Sequence, residues 1–311
     1  MLENILFGLN AILPIFILAY LGYFLRNRDF ISEQGFGELN WFCFKVILPV
    51  MMFRSVYTSD FKADFDPVML LYGVSVVVVF SMLVWLVCTF VIKDKRKRGS
   101  YVQASFRSNY VIMGTALMDI MYDGGSGMAT LMLAIIIPVY TVIATLVLTT
   151  CGSGGKVNFL NIIKKTFQNP IIIGILLGLL CNLIKLPVPE FAMTTLGHIS
   201  NMATPVALLT AGSKIKAQNC INVYSVTSAV LKLLVEPLIF VPIAVMLGLR
   251  GETLMALYIL FASPSAITTY SMASNMGCDE HVAADCVFVS TLLSVVTFTI
   301  GITILRSMQL V

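Results

Sequence analysis

The sequence predicts an all-α polytopic membrane protein in which ten transmembrane helices form two inverted five-helix repeats, with the fourth and ninth helices broken and crossing. Three observations carry this expectation. The 311 residues are 58% hydrophobic and only 12% charged, with a strongly positive mean hydropathy, far outside the range of a soluble domain. Ten apolar runs approach the roughly 20 residues that a bilayer core of about 30 Å requires at 1.5 Å rise per residue. Finally, segments of the two halves match each other at nearly one offset.

The runs lie at about 4 to 25, 39 to 57, 67 to 92, 102 to 121, 128 to 149, 168 to 186, 192 to 213, 221 to 248, 253 to 276 and 281 to 305. Charges and turn residues separate them, as in "RNRDFISEQGFGE", "KDKRKRGS" and "CGSGGKVNFLNIIKK". The first run has no basic segment before it and no small-residue cleavage site, and Arg26 and Arg28 follow it directly, so it reads as a retained helix. Seven cysteines, at 43, 88, 151, 181, 220, 278 and 286, form no CxxC and mostly sit within or beside runs, which argues against a disulfide framework or a zinc site. The net charge of +4 is divided among short loops, so no nucleic-acid partner is expected.

Those loop charges orient the chain instead. With the N-terminus outside, the cytoplasmic loops carry Arg26, Arg28, Lys93, Lys95, Arg96, Lys97, Arg98, Lys156, Lys164, Lys165, Lys214 and Lys216. The outer side carries Arg54, Lys62, Lys185, Arg250 and Arg306, a bias of 12 to 5 in the sense of the positive-inside rule. The expectation is a multi-pass protein of the inner (plasma) membrane with both termini outside. A homodimer is left open.

The halves repeat each other. "PIFILAYLG" from Pro14 matches "PIIIGILLG" from Pro170, and Pro49 in "LPVMMF" matches Pro205 in "TPVALL", both offset by 156. Phe106 in "FRSNYVIMGTA" matches Phe261 in "FASPSAITTYS", offset by 155. Units of 1–155 and 156–311 follow, each with five crossings. An odd number of crossings turns the second unit upside down, a construction common among secondary transporters.

The fourth and ninth runs are interrupted at equivalent positions, Asn109 and Pro264. Asn and Gly are poor helix formers, and Pro264 removes a backbone donor and clashes with the preceding turn. Non-helical backbone at membrane depth is tolerated where it is buried in protein or lines a wet cavity. If the broken helices cross, their second halves present positive N-terminal ends near the bilayer centre, a pocket suited to an anion. The alternative is a simple proline kink with hydroxyls bonded back to their own helix. Ser108, Tyr110, Ser263, Ser265, Thr268, Thr269 and Tyr270 supply candidate polar contacts, some of which serve helix packing.

Charges within runs are functional candidates. Lys232 and Glu236 stand one turn apart and either neutralise each other or place Glu236 in proton or cation coupling. Lys45, four residues before Pro49, faces the substrate path or snorkels to the interface. Arg107 attracts a carboxylate or reaches the cytoplasmic interface. His281 and Asp285 form either a pH-sensitive pair or part of an acidic helix start. Asp119 and Asp123 read as solvated loop charges. No metal or organic cofactor is expected; the coupling ion, if any, is H⁺ or Na⁺.

With these residues in place, the chain resembles the auxin efflux carrier family, which includes plant auxin exporters and bacterial permeases assigned to malate or malonate. "SNYVIMGTAL" is similar to that family's fourth-helix segment through Asn109, Met113 and Gly114. "ASPSAITTYSMASNMGCD" is similar to the ninth through Pro264, Ala273 and Gly277, and "LNWFCFKVILPVMMF" to the second through Asn40, Phe42, Pro49 and Phe53. Tyr140 with Thr141 resembles a substrate-facing aromatic position on the fifth helix. Ser108 departs from the proline that plant members usually carry, and the long cytoplasmic loop of many plant members is absent. The resemblance implies a scaffold of helices 1, 2, 6 and 7, a moving unit of helices 3–5 and 8–10, and elevator-like alternating access.

The same residues bear on other function classes. "GGSG" at 124 to 127 fits the short pattern of intramembrane serine proteases, but a serine nucleophile needs a histidine base, and His198 is the one candidate. "GSGGKV" lacks the spacing of a phosphate loop. A passive anion channel is the more serious alternative, because broken helices also line pores. The expected function is secondary transport of a small organic anion.

Overall fold

The computed structural model describes residues 2–58, 66–122, 127–152, 164, 167–213 and 220–311. Lys62, Asp123, residues 124–126 of the GGSG motif, Lys156, Lys165, Lys214 and Lys216 lie outside the described residues. The described residues are helical throughout, with no strand beyond one isolated bridge. The helices are α1 (Leu2–Asn27), α2 (Glu33–Thr58), α3 (Pro67–Val91), α4 (Lys95–Phe106), α5 (Tyr110–Met121) and α6 (Gly127–Cys151). They continue with α7 (Pro170–Leu183), α8 (Glu190–Asn201), α9 (Ala203–Ser213), α10 (Val223–Met246), α11 (Gly251–Ala262), α12 (Thr268–Asn275) and α13 (Glu280–Ser307).

Local chemistry explains where these helices start. Asp66 accepts from the N–H of Val68 and Met69 ahead of Pro67, and Asp94 accepts from Arg96 and Lys97. Asn169 accepts from Ile171 ahead of Pro170, Asn222 forms a capping box with Ser225, and Asp279 accepts from His281 and Val282. Each side chain satisfies N–H groups that a helix start leaves without an intrahelical partner.

Among the described residues, α2, α3, α6, α10 and α13 are long and apolar enough to cross a membrane. The 25 residues of α3 extend about 37 Å at 1.5 Å per residue, more than the hydrocarbon core. The outer surface is apolar, with Leu71, Phe90, Val91, Leu238 and Ile300 exposed, while Gln103, Asn109, Lys232 and Glu236 are buried. This distribution suits a lipid surround and a partly polar interior.

Close backbone approach joins two pairs of helices. Gly174 and Gly178 on α7 lie against the backbone of Pro49 and Phe53 on α2, and Gly22 on α1 lies against Leu209 on α9, where Gly212 in turn meets Ala19. Small residues let helices in a membrane approach this closely. An offset of 156 carries Gly22 to Gly178 and Phe53 to Leu209, so one seam reproduces the other.

The breaks fall where the sequence places them. α4 stops at Phe106, with Arg107 extended, and α11 stops at Ala262, with Ser263 extended at φ −65° and ψ 142° because a residue before proline is pushed out of the helical region. Asp119 is a correction. Rather than a solvated loop charge, it is partly buried and accepts from the Thr204 hydroxyl at 3.2 Å, which ties α5 to α9.

Candidate functional site

The two breaks meet. Ser108 and Ser265 form an antiparallel bridge. The Asn109 N–H donates to the Pro264 carbonyl at 2.8 Å, and the Ala266 N–H donates to the Arg107 carbonyl at 3.0 Å. Each broken segment thereby satisfies backbone groups of the other, which removes the cost of unpaired polar groups at depth. The Ser265 hydroxyl donates to the Ala104 carbonyl, and its N–H donates to Ser290 Oγ. The Ser263 hydroxyl returns to Ile259 O at 2.6 Å.

A cavity of about 290 Å³ opens on one side of this crossing. Its polar lining is Asn40, Arg107, Ser108, Asn109, Tyr140, Asn169 and Thr268, and its apolar lining includes Phe44, Ile112, Ile137 and Ile171. The first residues of α5 and α12 border it, and neither helix start has a side-chain cap. The N-terminal end of a helix carries partial positive charge. Arg107 is the one charged side chain on the lining, and it makes no ion pair among the described residues. Its guanidinium donates to the Met272 sulfur, a weak acceptor. The buried hydroxyls of Ser108 and Tyr140 lie beside each other and find no other partner among the described residues. Phe106 stacks on Tyr140, with centroids 6.1 Å apart, and so fixes the ring at the cavity wall.

Of the residues expected from sequence, Asn109, Ser108 and Tyr140 share this lining. Pro264 and Ser265 build the crossing behind it, and Ser263 serves its own helix end. Tyr110 is buried with its ring against Gly114, and Pro49 lies in the α2–α7 seam. Lys45 is exposed and is not part of the lining. Its neighbour Phe44 points inward instead, since successive helical residues face different directions.

Lys232 and Glu236 form a buried ion pair at 2.7 Å, so the neutralising alternative describes their geometry. Asp285 accepts from the Asn222 side chain at 2.7 Å and makes no ion pair with His281 among the described residues; the helix is capped by Asp279. His198 borders a separate shallow groove of about 330 Å³ with Arg54, Glu190, Thr194 and Asn201. Arg107, Asn169 and Thr268 carry more of the lining than the sequence reading assigned them. The available signals were an arginine two residues from a break and an Asn-Pro helix start.

The fold and cavity define a class: a multi-pass helical membrane protein with a polar interior cavity at two interrupted helices. The chain belongs to the membrane transport protein family, that of the auxin efflux carriers, which it matches over residues 7–302. It is 27% identical over 304 residues to an uncharacterized transporter of Methanothermobacter thermautotrophicus, covering 93% of this chain and 95% of the other. It is 24% identical over 308 residues to the uncharacterized transporter YfdV of Escherichia coli K12, covering 96% and 98%. The YfdV sequence of Shigella flexneri matches to the same extent.

Proposed function

We propose that this membrane transporter is a secondary carrier of a small organic anion, a carboxylate, bound at the crossing of the broken helices. The observation that carries this reading is the cavity lining: one guanidinium without a carboxylate partner, the Ser108 and Tyr140 hydroxyls, the Asn109 side chain and two helix starts without a side-chain cap. Anions bind where N–H donors and a positive dipole end converge, and an arginine fork matches a carboxylate. Among the described residues, no carboxylate borders the cavity to oppose one. The apolar wall of Phe44, Ile112, Ile137 and Ile171 accommodates the organic part.

The architecture proposed with it has ten spans, α4 with α5, α8 with α9 and α11 with α12 each counting as one, in units of 1–155 and 156–311 related by inversion. The equivalent glycine seams at Gly22 and Gly178 support the duplication. In the elevator reading, α1, α2, α7, α8 and α9 are the scaffold, and the crossing moves past it with the anion. The chain sits in the inner (plasma) membrane with both termini outside, as its loop charges favour. A passive anion channel is the second reading; saturable flux that exchanges labelled for unlabelled anion distinguishes the carrier.

The test is a thermal-shift screen of the detergent-purified protein against monocarboxylates, dicarboxylates, and neutral and cationic solutes. A ligand of the native state stabilises it in proportion to ln(1 + [L]/Kd). Concentration-dependent stabilisation by one class of carboxylate, lost in Asn109→Ala while membrane insertion persists, supports the reading. Stabilisation by cationic or neutral solutes alone overturns it.

A further inference from the structure

Pro264 has a consequence away from the cavity. In a continuous helix the Leu260 carbonyl accepts from the N–H four residues on, but that residue is Pro264, which has none. Leu260 is fully buried, where an unpaired carbonyl is costly. Lys232 on α10 supplies the missing donor, with its Nζ 3.3 Å from Leu260 O and 2.7 Å from Glu236 Oε2. Both charged side chains are fully buried. The helix carries a π turn at Leu231–Val235, directly before Glu236 and Pro237. Such turns occur frequently at functional sites.

The second carboxylate oxygen, Glu236 Oε1, is buried and accepts no hydrogen bond among the described residues. Among the described residues, the charged or titratable groups in its field are Lys232 on its own helix and Tyr140 across on α6, with Arg107 reached through Tyr140. A buried carboxylate oxygen without a donor is expensive; a bound proton removes its negative charge and leaves the Lys232 ammonium as the one net charge of the pair.

We propose that Glu236 is the proton-binding site of this carrier. A proton from water adds to Oε1, the carboxylate becomes a neutral acid, and Lys232 keeps its hydrogen bond to Leu260 O. The occupant is a proton rather than Na⁺. A metal cation needs several oxygen ligands, whereas Oε1 is one oxygen and Oε2 is already bound to the Lys232 ammonium. The charge of the pair changes from zero to +1 on protonation. It does so directly behind the crossing, where Lys232 holds the helix end that leads to Pro264, and Pro264 holds Asn109. Added positive charge in a low-dielectric interior strengthens binding of an anion nearby, and linkage requires that the anion strengthen binding of the proton equally. This consequence, proton–anion symport, rests on the anion reading; the proton site itself does not.

The first measurement is infrared difference spectroscopy of the protein in lipid nanodiscs on acidification. A carbonyl band of a newly protonated, weakly hydrogen-bonded carboxylic acid is expected in wild type and absent in Glu236→Gln. The double variant Lys232→Gln/Glu236→Gln, which keeps an uncharged hydrogen-bonding pair, serves if the single one does not fold. The second measurement is benzoate binding over a pH range in which benzoate stays ionised. Apparent affinity is expected to fall about tenfold per pH unit above the titration of Glu236, to be independent of pH in the variants, and to be unchanged when K⁺ replaces Na⁺. Persistence of the band in the variants, an equal pH slope in all proteins, or dependence on Na⁺ alone overturns the proposal. A Glu236 band without benzoate binding leaves the proton site standing and counts against the anion reading. Benzoate binding with neither band nor pH dependence does the reverse.

Discussion

Arg107→Gln isolates the electrostatic part of anion recognition. Among the described residues Arg107 is the one charged side chain on the cavity lining, and its present acceptor is the Met272 sulfur, so none of their acids has to be displaced when a carboxylate arrives. A hydrogen bond to a charged group contributes about 1.5–3 kcal/mol. At about 1.4 kcal/mol per factor of ten, its loss weakens binding roughly 10- to 150-fold. Glutamine keeps a polar side chain at the same place, so the difference is mainly charge. The assay is the thermal-shift titration with the carboxylate that stabilises wild type. At a ligand concentration of 100 times the wild-type Kd, stabilisation is about 2.7 kcal/mol. A 50-fold weaker variant at the same concentration retains about 0.7 kcal/mol by the same relation. Arg107→Lys should fall between the two, because an ammonium keeps the charge and loses the fork. A monodisperse Arg107→Gln protein that binds the carboxylate as wild type does would refute the assignment of the charge.

Other perturbations probe the frame and its orientation. Pro264→Ala restores a donor for Leu260 O and lets α11 continue, which competes with the 2.8 Å bond from Asn109 N to Pro264 O; folded protein with flux reduced at least tenfold is expected in a proteoliposome assay. Gly178→Leu and Gly22→Leu each drive a side chain into the backbone of Phe53 or Leu209, and both should lower stability by about 1–3 kcal/mol or more, read as loss of monodisperse protein. Gly37→Ala, where an added Cβ meets open space, should be neutral or gain up to about 1 kcal/mol from helix propensity. An alkaline phosphatase fused to the C-terminus should be active and a fluorescent protein there dark if that end is outside; the opposite pattern reverses the orientation.

The membrane class and the helix positions were legible because each follows from local information. Apolar runs of the right length need a bilayer, Asp66, Asp94, Asn169, Asn222 and Asp279 cap the helices that follow them, and a proline forces the residue before it out of helical geometry. The break positions were legible for the same reason. Asp119 was misread because its partner, Thr204, lies 85 residues away on another helix.

The sequence by itself determined a lipid-embedded helical chain, interrupted at Asn109 and Pro264, with two similar halves. Tertiary structure decided which side chains those interruptions bring together. Arg107, Asn109, Ser108 and Tyr140 reach one cavity, while Lys45 turns outward and Ser263 and Ser265 spend their hydroxyls on backbone carbonyls. The direction of a side chain is set by the rotation of its helix against its neighbours. That rotation depends on contacts such as Gly174 on Pro49 and Asn109 on Pro264, between residues 125 and 155 positions apart, which no local pattern encodes.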